Sequence, residues 1–376
     1  GAIEPRETTL IAPPASPGAM REARGQVAAF AGSLAPLATA VGVTVLVVVA
    51  ISYARSAGLV ASLWGASGLA VAVWLRTSRG PVYDLCFGAL MALAFLAGNL
   101  LVGNPRLIAG LFMVANVMDV ALSVVMARWL APGLNLSSVS GAARFLLAAA
   151  VLGPIPSALF SGFFLLVMTG GDFMAGFQTW WFGHALSVAV ISSLGLALTR
   201  GRVRMLRPRL RAVEALALFS LMSAVCFLFF IADQFYVGFA VLPLLLLIAA
   251  RFQVLGVAAA LIVITLCSVG GAMAGHGPFA FVETAQERAM LAQLLVLCVF
   301  LPVLLVAALL EERDLLNQKA RNARLRAERA SEAKSRLLAN VAHEIKSPVG
   351  GVIGIGDLWR SGGLGPVNQT QTDMAD

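Results

Sequence analysis

The sequence has few charged residues. Only 12% of its 376 residues are Asp, Glu, Lys or Arg, while 59% are hydrophobic. Ordinary soluble domains carry roughly 25% charged residues, and a soluble globule could not bury this much apolar surface. Uncharged stretches of about 20 residues, long enough to cross a hydrocarbon layer of ~30 Å as helices, occur repeatedly. The composition therefore excludes a soluble domain and predicts an all-α, polytopic helical membrane protein.

Cysteine is also scarce, and each of the four cysteines lies in a separate apolar run: Cys86, Cys226, Cys267 and Cys298. None belongs to a CxxC pair or has a histidine at ligand spacing. The sequence therefore predicts no metal site, and the thiols are expected to be small buried apolar groups. The net charge is +8, but the arginines lie between hydrophobic runs. Membrane lipids are therefore expected partners, whereas nucleic acid is not.

The apolar runs predict eight to ten membrane spans within a membrane-embedded domain over residues 33–310. Residues 1–32, which contain several prolines and mixed charges, are expected to form a disordered tail. Some neighbouring runs are close enough together to form re-entrant hairpins. The ten candidate spans are 33–54, 57–75, 82–102, 107–127, 145–168, 180–199, 212–232, 235–250, 253–273 and 289–310.

The distribution of arginines predicts the orientation. If the N-terminus is cytoplasmic, loops on the opposite side hold only Arg55, Arg106 and Arg288. An excess of basic residues marks the cytoplasmic side of a membrane protein. An even number of spans then also returns the segment after Leu310 to the cytoplasm. The arginines on the predicted cytoplasmic side are Arg76, Arg79, Arg128, Arg144, Arg200, Arg202, Arg204, Arg207, Arg209, Arg211 and Arg251.

Glycine and proline are absent from residues 311–347, where charged helix formers dominate. This composition predicts a continuous helix, with residues 311–333 as a linker or coiled-coil segment. Apolar residues follow coiled-coil spacing in two stripes, one ending at Leu337 and the next starting at Leu338. The one-residue displacement indicates either a stutter that responds to rotation or the ordinary drift of a straight helix. Both interpretations stay open.

Histidine occurs only three times, and His343 stands beside Glu344 and shortly before Pro348. An imidazole can accept a phosphoryl group, and a neighbouring carboxylate can hold or deprotonate one ring nitrogen while the other attacks. His343 lies about 200° around a helix from the apolar residue Val341, which predicts an exposed ring. Pro348 cannot donate a hydrogen bond to the carbonyl of Glu344, so a hinge is expected there.

Residues 334–376 resemble the start of the dimerisation and histidine-phosphotransfer domain of bacterial sensor histidine kinases. The resemblance implies an ATP-dependent protein-histidine kinase that acts as a homodimer in a two-component system. It would phosphorylate His343, with Glu344 as base or orienting group, and pass the phosphate to an aspartate of a response-regulator receiver domain. Ser347 would position water in the reverse phosphatase reaction. The motif reads Lys334-Ser335-Arg336-Leu337-Leu338-Ala339-Asn340, then His343-Glu344-Ile345-Lys346-Ser347-Pro348.

The ATP-binding motifs of histidine kinases do not follow this box. Gly362 to Pro366 lacks the Lys and Ser/Thr of a phosphate loop, and a turn between helices is expected there instead. ATP and Mg²⁺ are therefore expected to bind in a catalytic domain outside this chain, which is expected to be truncated within the phosphotransfer hairpin.

Residues 35–312 resemble the membrane-associated sensor domain of the first type, which stands at the N-termini of bacterial histidine kinases and cyclic-di-GMP enzymes. The resemblance implies a multi-pass sensor in the bacterial inner membrane. The matching segments are Leu63-Trp64-Gly65-Ala66-Ser67-Gly68, Ala115-Asn116-Val117-Met118-Asp119, Trp180-Trp181-Phe182-Gly183, Leu242-Pro243, Ala250-Arg251-Phe252, Gly277-Pro278-Phe279 and Leu310-Glu311-Glu312-Arg313.

Polar residues at membrane depth are costly and suggest function. The candidates for sensing are Asp84, Asn99, Asn116, Asp119 and His184. Asn116 and Asp119 share one helical face, and either sensing or an interhelical hydrogen bond would explain them. The neighbouring tryptophans suggest that His184 lies in an interfacial aromatic belt without any ligand.

Two other functional classes compete with the kinase. A transporter or permease with a helical cytoplasmic tail would fit the composition, although no internal repeat of transporter type is evident. A sensor fused to a cyclic-di-GMP enzyme would fit the membrane domain, but the His343 box argues against it.

Overall fold

The computed structural model describes residues 17–56, 64–363, 365–366 and 368–375. Helix accounts for 85% of the structure, and the described residues contain no strand. The predicted all-α, polytopic bundle with a C-terminal helix is confirmed. The chain divides into two compact units between Glu312 and Arg313, close to the predicted end of the membrane domain.

The described part of the first unit contains fourteen α-helices, the last of which continues into the second unit. The helices are α1 (Pro17–Ala31), α2 (Leu34–Ser56), α3 (Ala66–Thr77), α4 (Pro81–Leu101), α5 (Arg106–Leu130), α6 (Val139–Phe145), α7 (Ile155–Thr169), α8 (Phe173–Ser187), α9 (Ser193–Ala197), α10 (Arg200–Arg204), α11 (Arg209–Phe230), α12 (Val241–Met273), α13 (Ala285–Leu295), α14 (Pro302–Arg360) and, in the second unit, α15 (Gln369–Ala375).

Eight helical segments of the described chain are long and apolar enough to cross a membrane, so the chain is a multi-pass membrane protein. They are Leu34–Ser56, Pro81–Leu101, Arg106–Leu130, Val139–Thr169, Phe173–Ala197, Arg209–Phe230, Phe235–Met273 and Ala285–Arg360. Of the predicted span 57–75, residues 57–63 lie outside the described residues. The remainder forms the short, buried helix α3.

The predicted spans 235–250 and 253–273 form a short 3-10 helix, Phe235–Ala240, followed by α12, and α12 reverses direction between the two spans. Gln253 has non-helical dihedrals, with φ 51° and ψ −141°. A straight helix would separate the two ends of α12 by almost 50 Å. Yet Gly238, just before α12, lies against Phe229, and Gly271 lies against Phe230. The two halves of α12 therefore run in opposite directions, and both ends of the helix lie near the C-terminal end of α11.

The two ends of the bundle are named by the residues that mark them. The Arg55 end carries the last turn of α2 and the loop between α7 and α8. The Glu311 end carries the first turn of α4 and helix α10. The hydrogen bond from Tyr53 to the carbonyl of Gly270 lies at the Arg55 end, and that from Arg211 to the carbonyl of Arg251 lies at the Glu311 end.

Helix α1 replaces much of the predicted disordered tail, so that expectation is wrong for residues 17–31. The Oε1 atom of Gln26 accepts hydrogen bonds from the backbone N–H groups of Val82 (2.9 Å) and Tyr83 (3.3 Å). These donors lie in the first turn of α4, where no intrahelical partner exists. Phe30 also packs edge-on against Tyr83. The tertiary contacts that order α1 leave no pattern in the local sequence. Residues 1–16 lie outside the described residues.

Close packing around Gly68 holds α3 against the segment that follows α8. A Cβ atom on Gly68 would lie 2.2 Å from the carbonyl oxygen of Ser187 and 2.7 Å from the Cβ of Ile191. The hydroxyl of Ser187 accepts from the Gly68 N–H, and the hydroxyl of Ser192 donates to the Gly68 carbonyl. Small residues permit this approach of two backbones, as in many membrane helix pairs.

We expect Gly68→Ala to lower the thermal unfolding midpoint of the detergent-solubilised chain, because the added methyl must displace the backbone of Ser187. Overpacking of this kind costs about 1–3 kcal/mol. Gly110→Ala in α5 is the matched control, since its Cβ would meet nothing within 4 Å. An equal midpoint for both variants would contradict the close packing.

Candidate sensing site and phosphoacceptor helix

A histidine and an aspartate form a buried pair between α5 and α8. The Nδ1 atom of His184 lies 2.5 Å from Oδ2 of Asp119 and 3.0 Å from Oγ of Ser67. His184 is 4% exposed, and Asp119 and Ser67 are fully buried. The pair joins α5 to α8, and the contact of Ser67 with His184 connects α3 to both helices. Of the two explanations for Asp119, the interhelical hydrogen bond is thus present in the structure.

Aromatic rings enclose His184. The ring of Trp180 stacks on the imidazole of His184, with ring centroids 4.3 Å apart. The ring of Phe112 lies parallel to the ring of Trp180, with centroids 6.0 Å apart. Trp64 lies 5.6 Å from the imidazole and donates to the Ser67 hydroxyl. Trp180 is only 9% exposed. Trp180 therefore packs inward against His184, whereas the neighbouring Trp181 is half-buried, so an interfacial aromatic belt does not account for Trp180.

Asn116 lies one turn before Asp119 but does not bond to it. The Nδ2 atom of Asn116 donates to the carbonyl of Phe112 at 2.7 Å, which fixes the orientation of the amide. Its Oδ1 atom and the Oδ1 atom of Asp119 have no hydrogen-bond partner among the described residues. Buried acceptors without donors are costly, and functional sites are one place where such a cost is retained.

Asp84, another of the sensing candidates, does not join this cluster. It lies in the first turn of α4 at the Glu311 end. Its carboxylate receives hydrogen bonds from Arg128, Trp74 and Ser78 and forms an ion pair with Arg128 at 2.6 Å. These contacts give Asp84 a structural role in joining α4 to α5.

A cavity of about 430 Å³ separates the polar cluster from the Arg55 end of the bundle. Trp64, Phe112, Asn116, Trp180 and His184 line its inner part. Its outer part is lined by polar side chains, of which Arg55, Thr169, Asp172 and Gln286 are exposed and Asn104 and Thr179 are half-buried. This volume is sufficient for a small organic molecule.

At the opposite end of the bundle, two carboxylates at the end of the last span are held by the neighbouring loops. We call Ser137, Arg202, Glu311 and Glu312 the Glu311 latch. Oε1 of Glu311 accepts from Nε of Arg202 at 2.9 Å and from the Ser137 hydroxyl at 2.7 Å. Oε2 of Glu312 accepts from the backbone N–H of Val139 at 3.0 Å, at the N-terminus of α6. The latch fixes the last residues of the first unit.

We expect Arg202→Met and Glu311→Gln each to loosen the latch, because hydrogen bonds to charged partners contribute about 1.5–3 kcal/mol. Amide hydrogen exchange in residues 308–312 should then accelerate by about tenfold or more. Arg204→Met is the matched control, since Arg204 is exposed and lies outside the latch. Unchanged exchange in both latch variants would contradict this role.

His343 and Glu344 are exposed on α14, as are the residues of the apolar stripe around them, so the predicted outward orientation of His343 relative to that stripe stays a prediction. Adjacent residues on a helix point about 100° apart, and no hydrogen bond joins these two side chains in the described structure. Helix α14 runs through Pro348 to Arg360, so a hinge at Pro348 stays a prediction. The helix then ends near the predicted turn, and α15 follows at Gln369.

The chain is thus a multi-pass helical membrane protein with a buried polar cluster beneath a cavity and a long C-terminal helix. Over residues 33–314 its sequence matches the MASE1 family, and the chain belongs to that family. MASE1 is a multi-span membrane sensor domain found in signalling proteins, including histidine kinases and diguanylate cyclases. No curated protein and no solved structure matches the chain.

The family match confirms the resemblance of residues 35–312 to a membrane-associated sensor domain. It ends at residue 314 and therefore does not include the His343 box. The transporter alternative receives no support.

Sequence reasoning missed the pairing of His184 with Asp119, the Glu311 latch and the close packing of α3. It did not pair His184 with Asp119, because the two residues are 65 positions apart on different helices. It assigned Arg202 to topology alone and treated Glu311 only as part of a family motif, so the latch was not foreseen. The run of small and hydroxyl residues around Ser67 and Gly68 was the available signal that α3 packs closely at the centre of the bundle.

Proposed function

We propose that this chain is the sensor and phosphoacceptor part of a membrane histidine kinase in a two-component system. The observation that carries the proposal is the exposed His343-Glu344 box on the helix that begins as the last membrane-embedded segment of a MASE1 domain. Exposure suits a ring that must meet a docked phosphoryl donor, and the adjacent carboxylate suits a general base. ATP and Mg²⁺ would be supplied by a separate catalytic domain.

The proposed orientation has the Glu311 end in the cytoplasm of a bacterial cell and the Arg55 end on the outer side of the inner membrane. The excess of arginines around the Glu311 end supports it. His343 would then have access to ATP and to a response regulator, whose receiver aspartate would accept the phosphate. Ser347 would serve the reverse, phosphatase reaction.

The proposed active species is a homodimer. Apolar side chains on the second unit are exposed at the spacing of a helical seam, including Leu338 (59%), Ile345 (57%) and Val352 (71%). A helix with such a stripe buries it against other helices. A second copy of the same segment supplies a matching stripe and completes a four-helix bundle.

The signal would pass from the cavity to the last span along one continuous piece of chain. His184 lies near the end of α8, which leads through a π-helical segment and α9 to Arg202 in α10. Arg202 holds Glu311, the end of the last span in the first unit. A ligand can bias such a system only if it binds two arrangements unequally.

The proposal is tested by incubating membranes that contain the full-length gene product with radiolabelled ATP. The expected product is an acid-labile, alkali-stable phosphate on the peptide that contains His343. Phosphate found only in an acid-stable form, or on another peptide, would overturn the proposal.

A further inference from the structure

An apolar groove of about 570 Å³ lies at the Glu311 end of the bundle, where α10 and α11 meet the middle of α12. We call it the Phe252 groove. Its walls include Leu198, Val203 and Leu216, and all three side chains are exposed. Arg202 is the only charged residue among the described lining residues, and its guanidinium is already held by Glu311. An open apolar groove of this kind, beside membrane-spanning helices, suits a hydrocarbon chain.

A positive charge lies at the rim of the groove. The guanidinium of Arg211 stands over the ring of Phe252, 6.0 Å from its centroid. The carboxylate that it meets, Glu214, is 3.8 Å away and is also bound by Nη2 of Arg251, at 3.0 Å. One carboxylate thus serves two arginines, so these three side chains leave the rim with a net positive charge.

Two further arginines beside this rim have no partner. Arg207 directly follows Met205 and Leu206, which line the groove, and Arg209 begins α11. Both arginines are exposed, and neither guanidinium has a hydrogen bond or an ion pair with any described residue. The membrane span formed by α11 starts at Arg209, which places these charges at a boundary between lipid and water. Guanidinium groups match the oxygens of a phosphate there.

The combination of groove and arginines favours a lipid over a soluble anion. A free phosphate would pair with the arginines but would leave the apolar walls without an occupant. A zwitterionic lipid would fill the groove but would bring a cationic headgroup next to the arginines. A phospholipid with a net negative charge satisfies both parts, as in other basic pockets beside membrane helices.

We propose that the Phe252 groove is a binding site for an anionic phospholipid. One acyl chain lies along the apolar walls, and the phosphate pairs with Arg207, Arg209 and Arg211. Because Arg202 lines the groove and also belongs to the Glu311 latch, the lipid lies beside the end of the last span. The site does not depend on phosphorylation of His343, so it stands or falls separately from the proposed kinase.

The test is native mass spectrometry of the purified chain in detergent micelles, titrated with three compounds. We expect one molecule of phosphatidylglycerol to be retained. Phosphatidylcholine with the same acyl chains should bind about tenfold more weakly or less, because it has no net negative charge. Glycerophosphoglycerol, the headgroup without acyl chains, should not be retained. Equal retention of the two lipids, or a headgroup that binds as tightly as the lipid, would overturn the inference.

A pair of charge variants tests the arginines. Arg207→Gln combined with Arg209→Gln should lower the affinity for phosphatidylglycerol by about tenfold or more, and it should leave the fold intact because neither guanidinium has a partner. The matched control is Arg79→Gln combined with Arg144→Gln, since both residues are exposed at the same end of the bundle and lie outside the groove. Unchanged affinity in the first variant, or an equal loss in both, would contradict the proposal.

A second pair of variants tests the groove itself. Ala212 is an exposed lining residue of α11. In Ala212→Trp the indole would occupy space that the acyl chain needs, so the affinity should fall by about tenfold or more. Ala217→Trp is the matched control, because Ala217 is exposed on the same helix but lies outside the groove. Wild-type affinity in Ala212→Trp would show that no acyl chain lies there.

Discussion

Replacing His343 by glutamine is expected to reduce acid-labile phosphate to background when the full-length gene product is incubated with ATP. Glutamine keeps similar size and polarity but has no ring nitrogen that can attack a phosphoryl group. The helix should be unaffected, because His343 is exposed. The measurement is radiolabel retained after alkaline treatment and lost after acid.

Two further variants sharpen this experiment. Glu344→Gln should retain some label at a rate lower by about 10²–10⁴-fold, the usual contribution of a general base. His276→Gln should keep full labelling, since that ring lies at the Arg55 end and pairs with the exposed Asp233. Label of normal intensity in His343→Gln would defeat the assignment of the phosphoacceptor.

Breaking the buried pair in the membrane domain is expected to have the largest effect on stability. His184→Leu leaves the carboxylate of Asp119 without its histidine in a site where its exposure is 0%. Removing one partner of a buried pair costs about 3–5 kcal/mol. Asp119→Leu should cost less, because Nδ1 of His184 keeps the Ser67 hydroxyl, 3.0 Å away, as a hydrogen-bond partner. Unfolding in mixed detergent micelles measures both changes.

The double variant is the decisive comparison. Asp119→Leu together with His184→Leu removes both polar groups, so it should be more stable than His184→Leu alone. His276→Leu is the surface control, since the 3.0 Å pair of His276 with Asp233 is solvent-exposed, and its unfolding should match that of the wild type. Equal losses in His184→Leu and in the double variant would show that packing, not the pair, governs stability.

Most of the expected spans were correct, because bilayer thickness dictates their length; the exception is 57–75, whose described part forms only the short helix α3. The apolar runs predicted the long helices, and even the tight pair 235–250 and 253–273 exists as two arms that reverse at Gln253. The helix α1 was not predicted, since Gln26 is ordered by backbone donors on α4, 56 positions away. Local composition cannot report such a contact.

The candidate sites divide in the same way. The sequence by itself determined the membrane class, the spans and the position of the His343 box, because hydrophobic length and helical periodicity are properties of adjacent residues. Only the tertiary structure paired His184 with Asp119, moved Asp84 to a separate ion pair and joined Arg202 to Glu311. Those partners come from different helices, and helix packing alone decides which side chains meet.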